Sequence, residues 1–478
     1  MPFNSIEFAI FLPIVFLFYW FIINKNLKHQ NFLLLVTSYI FYGWWDWRFL
    51  TLIIFSSMVD YLVGIELEKQ QDKIKRKFLL LTSIFVNIGF LGFCKYYNFF
   101  AENFIKAFTL FGKHPDVISL KVILPVGISF YTFQTLSYSI DVYKRKFTPT
   151  KDMISFFAFV AFFPQLVAGP IERAINLLPQ FYKKRYFEYD KAVDGMRQIL
   201  WGLFKKMVIA DNCAYYVNKI FSNYADYSGS TLLIGTILFA FQIYGDFSGY
   251  SDIAIGTARL FGFDLMRNFA YPYFSRDIAE YWRRWHISLS SWFRDYVYIP
   301  LGGSHGSTWM KIRNTFIIFL VAGFWHGANW TFIAWGFINA CCFLPLMLMK
   351  KNRKHLDIVA EAKILPSIRE FFQIGITFFM VCIIKVFFRS ESISDAFHYI
   401  RIIFSASLLS IPSILPKNLI LSIILFVIIE WVQRDKQHAL QIESFKLPKV
   451  VKWGLYYALI IIITTFGGIQ QEFIYFQF

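Results

Sequence analysis

Apolar runs separated by short polar links recur along the chain from residue 6 to residue 468. A bilayer's hydrocarbon core takes about 20 residues of helix. In lipid each backbone amide must be satisfied within its own segment, so every run reads as helix rather than strand. The runs are 6–23, 32–45, 49–65, 78–99, 120–140, 196–216, 231–256, 312–325, 328–349, 371–388, 418–433 and 453–468. The pattern predicts an all-α polytopic membrane protein of about 11–13 membrane segments. Met-Pro-Phe-Asn-Ser-Ile-Glu lacks the basic start of a cleaved signal peptide, so 6–23 reads as a permanent first span. No link is long enough to separate domains and no internal repeat is visible. One membrane domain over 1–478 is expected, with its motifs concentrated in about 120–350.

Two stretches break the pattern. The run 155–169 is interrupted by Pro164 and followed by Pro170. The basic clusters at Lys69–Lys77, Lys144–Lys151 and Lys183–Arg185 share one side only if that run enters the membrane and returns, which predicts a re-entrant element. With Lys350–Lys354 and Arg434–Lys449 on the same cytoplasmic side, both termini fall outside. The stretch 268–304 mixes Arg276, Asp277, Glu280, Arg283, Arg284, His286, Arg294 and Asp295 with aromatic residues. It cannot cross lipid as an exposed helix, and is expected in the cytoplasm or folded into the protein interior.

Composition sharpens the class. Of 478 residues, 57% are apolar, 21% aromatic and only 17% charged, against about a quarter charged in soluble domains. The net charge of +17 would suggest nucleic acid in a soluble chain. Here the cations sit in the links, where they set topology, and no nucleic acid partner is indicated. Five cysteines without paired spacing point to neither a disulfide framework nor a metal site.

Three groups of residues carry candidate chemistry. His326 lies in Gly323-Phe-Trp-His-Gly-Ala-Asn-Trp330 between two apolar runs. Ionisable groups in the membrane are functional by default, and a neutral imidazole can take a proton from a hydroxyl during acyl transfer. The same setting also suits a buried histidine bonded to a carbonyl. Flanking Gly323 and Gly327 would admit a close helix or a substrate. Arg283, Arg284, His286 and Arg294 stand among tryptophans in the second group. Basic groups among aromatics suit a phosphorylated acyl donor such as coenzyme A, or alternatively a lipid headgroup rim. Asp246 and Asp252 form the third, read as structural ion pairs with Arg259 and Arg267 as partners.

Trp285-His-Ile-Ser-Leu-Ser290, Phe293-Arg-Asp-Tyr296, Tyr298-Ile-Pro-Leu-Gly-Gly303 and Trp325-His-Gly327 resemble motifs of the membrane-bound O-acyltransferases, in the branch typified by bacterial alginate O-acetylation. Tyr39–Trp44, Leu124–Gln134, Phe163–Arg173 and Phe473–Phe478 extend the likeness over nearly the whole chain. The resemblance implies a helical bundle with re-entrant elements around a central tunnel in a bacterial cell membrane. It carries the family's essential histidine over to His326 and its second motif histidine to His286. It also implies acetyl transfer from cytoplasmic acetyl-coenzyme A towards a cell-envelope or secreted polysaccharide, with periplasmic or extracellular transferase subunits as partners and no permanently bound cofactor. His29, His114, His305, His355, His398 and His438 match no motif and read as loop or interfacial residues. Two alternatives stand beside this reading: a D-alanyl transferase of teichoic acids, fed by a carrier protein, and a transporter, whose paired intramembrane carboxylates have no counterpart here.

Overall fold

The computed structural model describes residues 1–109, 120, 124–167 and 169–474. His114, most of the first turn of the predicted span 120–140, Ala168 and the closing Tyr475–Phe478 lie outside the described residues. Every regular element among the described residues is helical. Six helical runs among the described residues are long and apolar enough to cross a membrane: Leu27–Lys69, Lys73–Thr109, Gly229–Leu260, Trp330–Leu348, Ile368–Arg389 and Lys449–Phe466. The chain is a multi-pass membrane protein.

The helices outrun their apolar cores because polar residues cap them inside the links. Asp72 accepts the Ile74 and Lys75 N–H groups and starts a helix at Lys73, five residues before the apolar run. The runs 32–45 and 49–65 belong to two twenty-residue helices, Leu27–Asp46 and Leu50–Lys69. Between them, Asp46 leaves helical geometry and its carboxylate accepts the Arg48 N–H over the short turn Trp47–Phe49. The Met153–Ala161 helix has only nine residues and ends where Phe162 turns away ahead of Pro164. At 1.5 Å per residue it rises about 13 Å, under half the hydrocarbon thickness.

The chain packs into two compact units, Met1–Ala192 with Thr257–Met266, and Val193–Gly256 with Arg267–Phe478. Inside the first, fully buried Asp60 accepts hydrogen bonds from Asn87 Nδ2 and Ser139 Oγ, each at 2.8 Å, and from Ser83 Oγ. Ser56 and Thr135 hydroxyls donate to the Asn87 side-chain oxygen. A carboxylate buried without such donors would cost several kcal/mol, so these hydroxyls and the amide fix the register of the helices that bear them.

The second unit is built on residues 229–256 of the 32-residue helix Gly229–Leu260. Gly249 on it faces Gly202, and a Cβ on either would fall within 2.8 Å of the other's carbonyl oxygen. That close approach brings in the π-helical turn Phe204–Ala210, with its successive lysines. Lys205 pairs with Asp252 at 2.6 Å, and Lys206 with Asp246 at 2.7 Å and Asp211 at 2.8 Å. The two aspartates are therefore structural ion-pair members, but their cations are these lysines rather than Arg259 and Arg267. Six residues at 100° each put Asp246 and Asp252 about 120° apart on their helix. Two adjacent lysines diverge by a similar angle and reach one each, whereas Arg267 lies over the Tyr271 ring at 4.8 Å.

A helical hairpin completes the frame of the second unit. Helices Thr308–His326 and Trp330–Leu348 are joined by three residues and start from Ser307 and Asn329 caps. A Cβ on Gly323 would collide with the Phe332 carbonyl oxygen, and one on Gly336 with that of Phe319. Gly323 thus admits a helix backbone, and Gly327 the Phe332 ring.

Candidate active site

Residues 268–293 of the polar stretch are folded into the interior of the second unit, with Asn268, Arg276, Glu280 and His286 all buried, while Arg294 and Ile299 beyond them are exposed. Asp277 caps the helix Ile278–Arg284 by accepting the Glu280 N–H at 2.7 Å. The chain then turns sharply into the helix Ile287–Phe293, and His286 takes the turn at φ +44°. A left-handed non-glycine residue costs free energy that its surroundings must supply. Here they do: the Ile287 N–H bonds the Asn268 carbonyl at 2.9 Å, Ser288 Oγ bonds Asn268 Oδ1 at 2.6 Å, and Asn268 Nδ2 bonds Ser251 Oγ at 3.1 Å.

His286 and His326 line one cavity of about 510 Å³. Trp325 stands between them, its ring centroid 6.0 Å from His286 and 4.9 Å from His326. Phe247 meets His286 edge-on at 4.5 Å, while Trp335 and Phe388 each meet His326 at 5.1 Å. Arg294, Lys311, Lys350 and Arg353 line the same cavity. Lys311 lies near the start of the hairpin's first helix and Lys350 just past the end of its second, both remote from His326 at the turn. Fifteen residues of helix separate Lys311 from His326, about 22 Å. The cavity therefore offers phosphate-binding cations at one end and two histidines in an aromatic, water-poor setting at the other.

Arg283 and Arg284 are placed differently from Arg294. Arg283 donates to the carbonyls of Asn352 and His355, both at 2.6 Å, and Arg284 to Glu280, Ala270 O and Asp357 O. Buried Arg276 joins them, bonded to Glu280 and to Asp357 at 2.9 Å. These arginines clasp the loop that carries Asn352 and Arg353 to the cavity wall, and neither Arg283 nor Arg284 lines the cavity. Arg294, paired with Asp295 at 2.7 Å, does line it.

The sequence pattern did not single out Lys311, Lys350 or Arg353 as site residues, because cations beside apolar runs ordinarily report topology. It also passed over Lys385, although a lysine inside the run 371–388 was the signal that could have found it. His438 departs from the loop or interfacial setting expected of it. It stands in a turn yet is only 2% exposed, with Nε2 2.9 Å from Asp194 Oδ1. The polar neighbours Lys436 and Gln437 conceal in sequence a turn that folds inward.

The sequence of residues 40–388 matches the model of the MBOAT, membrane-bound O-acyltransferase family. The chain belongs to this family. It is 39% identical over 408 residues to the probable alginate O-acetylase AlgI of Pseudomonas aeruginosa, covering 85% of this chain and 75% of that one. The peptidoglycan O-acetyltransferase of Helicobacter pylori is 33% identical over 82% of this chain and 77% of its own. A more distant relative, the teichoic acid D-alanyltransferase of Bacillus subtilis, is 28% identical over 54% of this chain and 66% of its own. The membrane-bound O-acyltransferase described here transfers an acyl group to a hydroxyl and takes it from a donor rather than from a permanently bound cofactor.

Proposed function

We propose that the protein takes acetyl groups from cytoplasmic acetyl-coenzyme A and passes them across the bacterial inner or plasma membrane for O-acetylation of a cell-envelope or secreted polysaccharide. The observation that carries this reading is the single cavity with Arg294, Lys311, Lys350 and Arg353 at one end and His286 and His326 at the other. A coenzyme A has phosphates for the cations and a thioester on a long arm that reaches the histidines. The relatives named as alginate and peptidoglycan O-acetylases support acetyl as the group and polysaccharide as the final acceptor. Polysaccharide recognition falls to periplasmic or extracellular transferase subunits.

In this mechanism His326 is the general base. Its neutral imidazole takes the acceptor hydroxyl's proton as the oxygen attacks the thioester carbonyl, and returns it to the departing thiol. His286, held in a strained backbone conformation, positions the donor. Arg294 binds the donor phosphates with the three further cations, while Arg283 and Arg284 act through the loop they hold. Basic links near Lys75, Arg145 and Lys184 face the cytoplasm, 155–169 re-enters on that side, and the N-terminus lies outside.

The test is a sided assay in proteoliposomes, with labelled acetyl-coenzyme A supplied to one face at a time. Label should move only when donor is on the face where Lys75→Cys and Lys184→Cys react with an impermeant reagent. Transfer from a charged carrier protein but not from acetyl-coenzyme A would replace this reading with D-alanyl-type transfer. Use of donor from the opposite face would overturn the orientation.

A further inference from the structure

A second, much smaller cavity adjoins the first, sharing the walls Trp282, Trp285, His326 and Trp335 with it. Its volume is about 10 Å³, room for the centre of about one water-sized molecule. Lys385 closes it, together with Asn339, Val381 and Ile384. The Lys385 side chain is buried on the helix Ile368–Arg389. Its Nζ lies 4.2 Å from the Trp285 ring centroid and 4.8 Å from that of Tyr273, and donates to Tyr273 Oη at 2.6 Å. Tyr273 Oη in turn donates to the Ala240 carbonyl at 2.5 Å.

This lysine is unlike the other buried lysines of its unit. Lys205 ends on one carboxylate and Lys206 on two, which neutralise them. Among the described residues no carboxylate lies within ion-pair distance of Lys385. An ammonium has three donor protons, and the Tyr273 hydroxyl takes one. Aromatic faces stabilise the charge without accepting its remaining protons along a lone pair. A desolvated cation with spare donors, beside a histidine in a chamber of this size, is the arrangement that stabilises charge developing on one oxygen.

We propose that Lys385 binds the carbonyl oxygen of the transferred acyl group, and that this one oxygen takes the water-sized space of the small cavity. The proposal rests on the acyl-transfer reading of His326. In the step, the acceptor oxygen forms a bond to the thioester carbon while His326 takes the hydroxyl proton. The carbonyl π pair moves onto oxygen, where the Lys385 ammonium donates to it. The oxyanion then collapses, the carbon–sulfur bond breaks, and the thiolate leaves with the proton from His326. Lys385 keeps its own protons throughout.

Lys385→Met keeps the length of the side chain and removes the charge, so it leaves no unpaired cation behind. In the full-length protein in proteoliposomes, kcat for acetyl transfer should fall about a hundredfold to a thousandfold, the loss typical of one oxyanion donor. The acetyl-coenzyme A KM should change by less than about threefold. A folded Lys385→Met protein with kcat within about threefold of the parent would overturn the assignment. His326→Gln is measured beside it: near-normal turnover there would overturn the base, while the Lys385→Met kcat is read independently of it, so failure of the one assignment is separable from failure of the other.

Discussion

The two ends of the large cavity are built on opposite principles. At the histidine end each group is single, buried and fixed: His286 by a left-handed turn tied to Asn268, His326 by rings on several sides. At the cation end four positive side chains line one wall of the cavity, and Arg294 is largely exposed. A transition state needs a few groups held within fractions of an ångström, while a phosphate-rich donor needs only a sufficient positive field. Function at the first end should be brittle, and at the second redundant.

The sharpest break of this contrast is at His326. His326→Gln keeps a hydrogen-bonding side chain and removes the base, so acetyl transfer should fall about a hundredfold to ten-thousandfold, with labelled donor still bound. A correctly inserted Gln variant with near-normal turnover would show that the ring is structural. His286→Ala should cost less, about tenfold, the scale of one neutral hydrogen bond or ring contact. Steady-state kinetics should place that loss partly in the KM for acetyl-coenzyme A if His286 positions the donor. A loss larger than that of His326→Gln would reverse the division of labour between them.

The cation end should yield the smallest effects. Neutralising Lys311, Lys350 or Arg353 singly removes about 0.2–1 kcal/mol, as for exposed charges generally. The donor KM should rise about twofold to fivefold, kcat should hold, and the effect should shrink as salt screens the field. The clasp on the loop offers a pH readout of the same end. Arg276 beside Asp357 holds that carboxyl below the usual carboxylate range. The clasp is therefore complete above that range and is lost only as pH falls through the lowered value. Donor KM should be flat with respect to the clasp across neutral pH. Asp357→Asn should raise it slightly, and a loss of tenfold or more would mean that the loop is not redundant.

Sequence and structure agree most closely where chemistry and motif coincide. His286 and His326, singled out in the sequence by their aromatic neighbours, line the same cavity. The spans are legible because lipid imposes one solution on the backbone. Arg283 and Arg284 looked like ligand-binding cations, yet they spend their protons on carbonyls of the loop 351–367 and on Glu280. Backbone acceptors leave no mark in a sequence. Lys385 was hidden for a different reason: one cation among Ile, Val and Phe scarcely alters an apolar run, while its aromatic cage comes from residues about a hundred positions away.

The hairpin Thr308–Leu348 also works as a ruler. Its helices touch backbone to backbone at Gly323 and Gly336, so they cannot slide past one another without collision. Lys311 and His326 lie on one helix, whose rise sets the interval between them, and the locked partner helix holds Lys350 in register with that scale. Coenzyme A and an acyl carrier protein present the same pantetheine arm and differ in what sits at its far end. A helix of fixed rise would serve either donor, since a change of donor alters what meets the charged mouth and not the distance from there to the histidine.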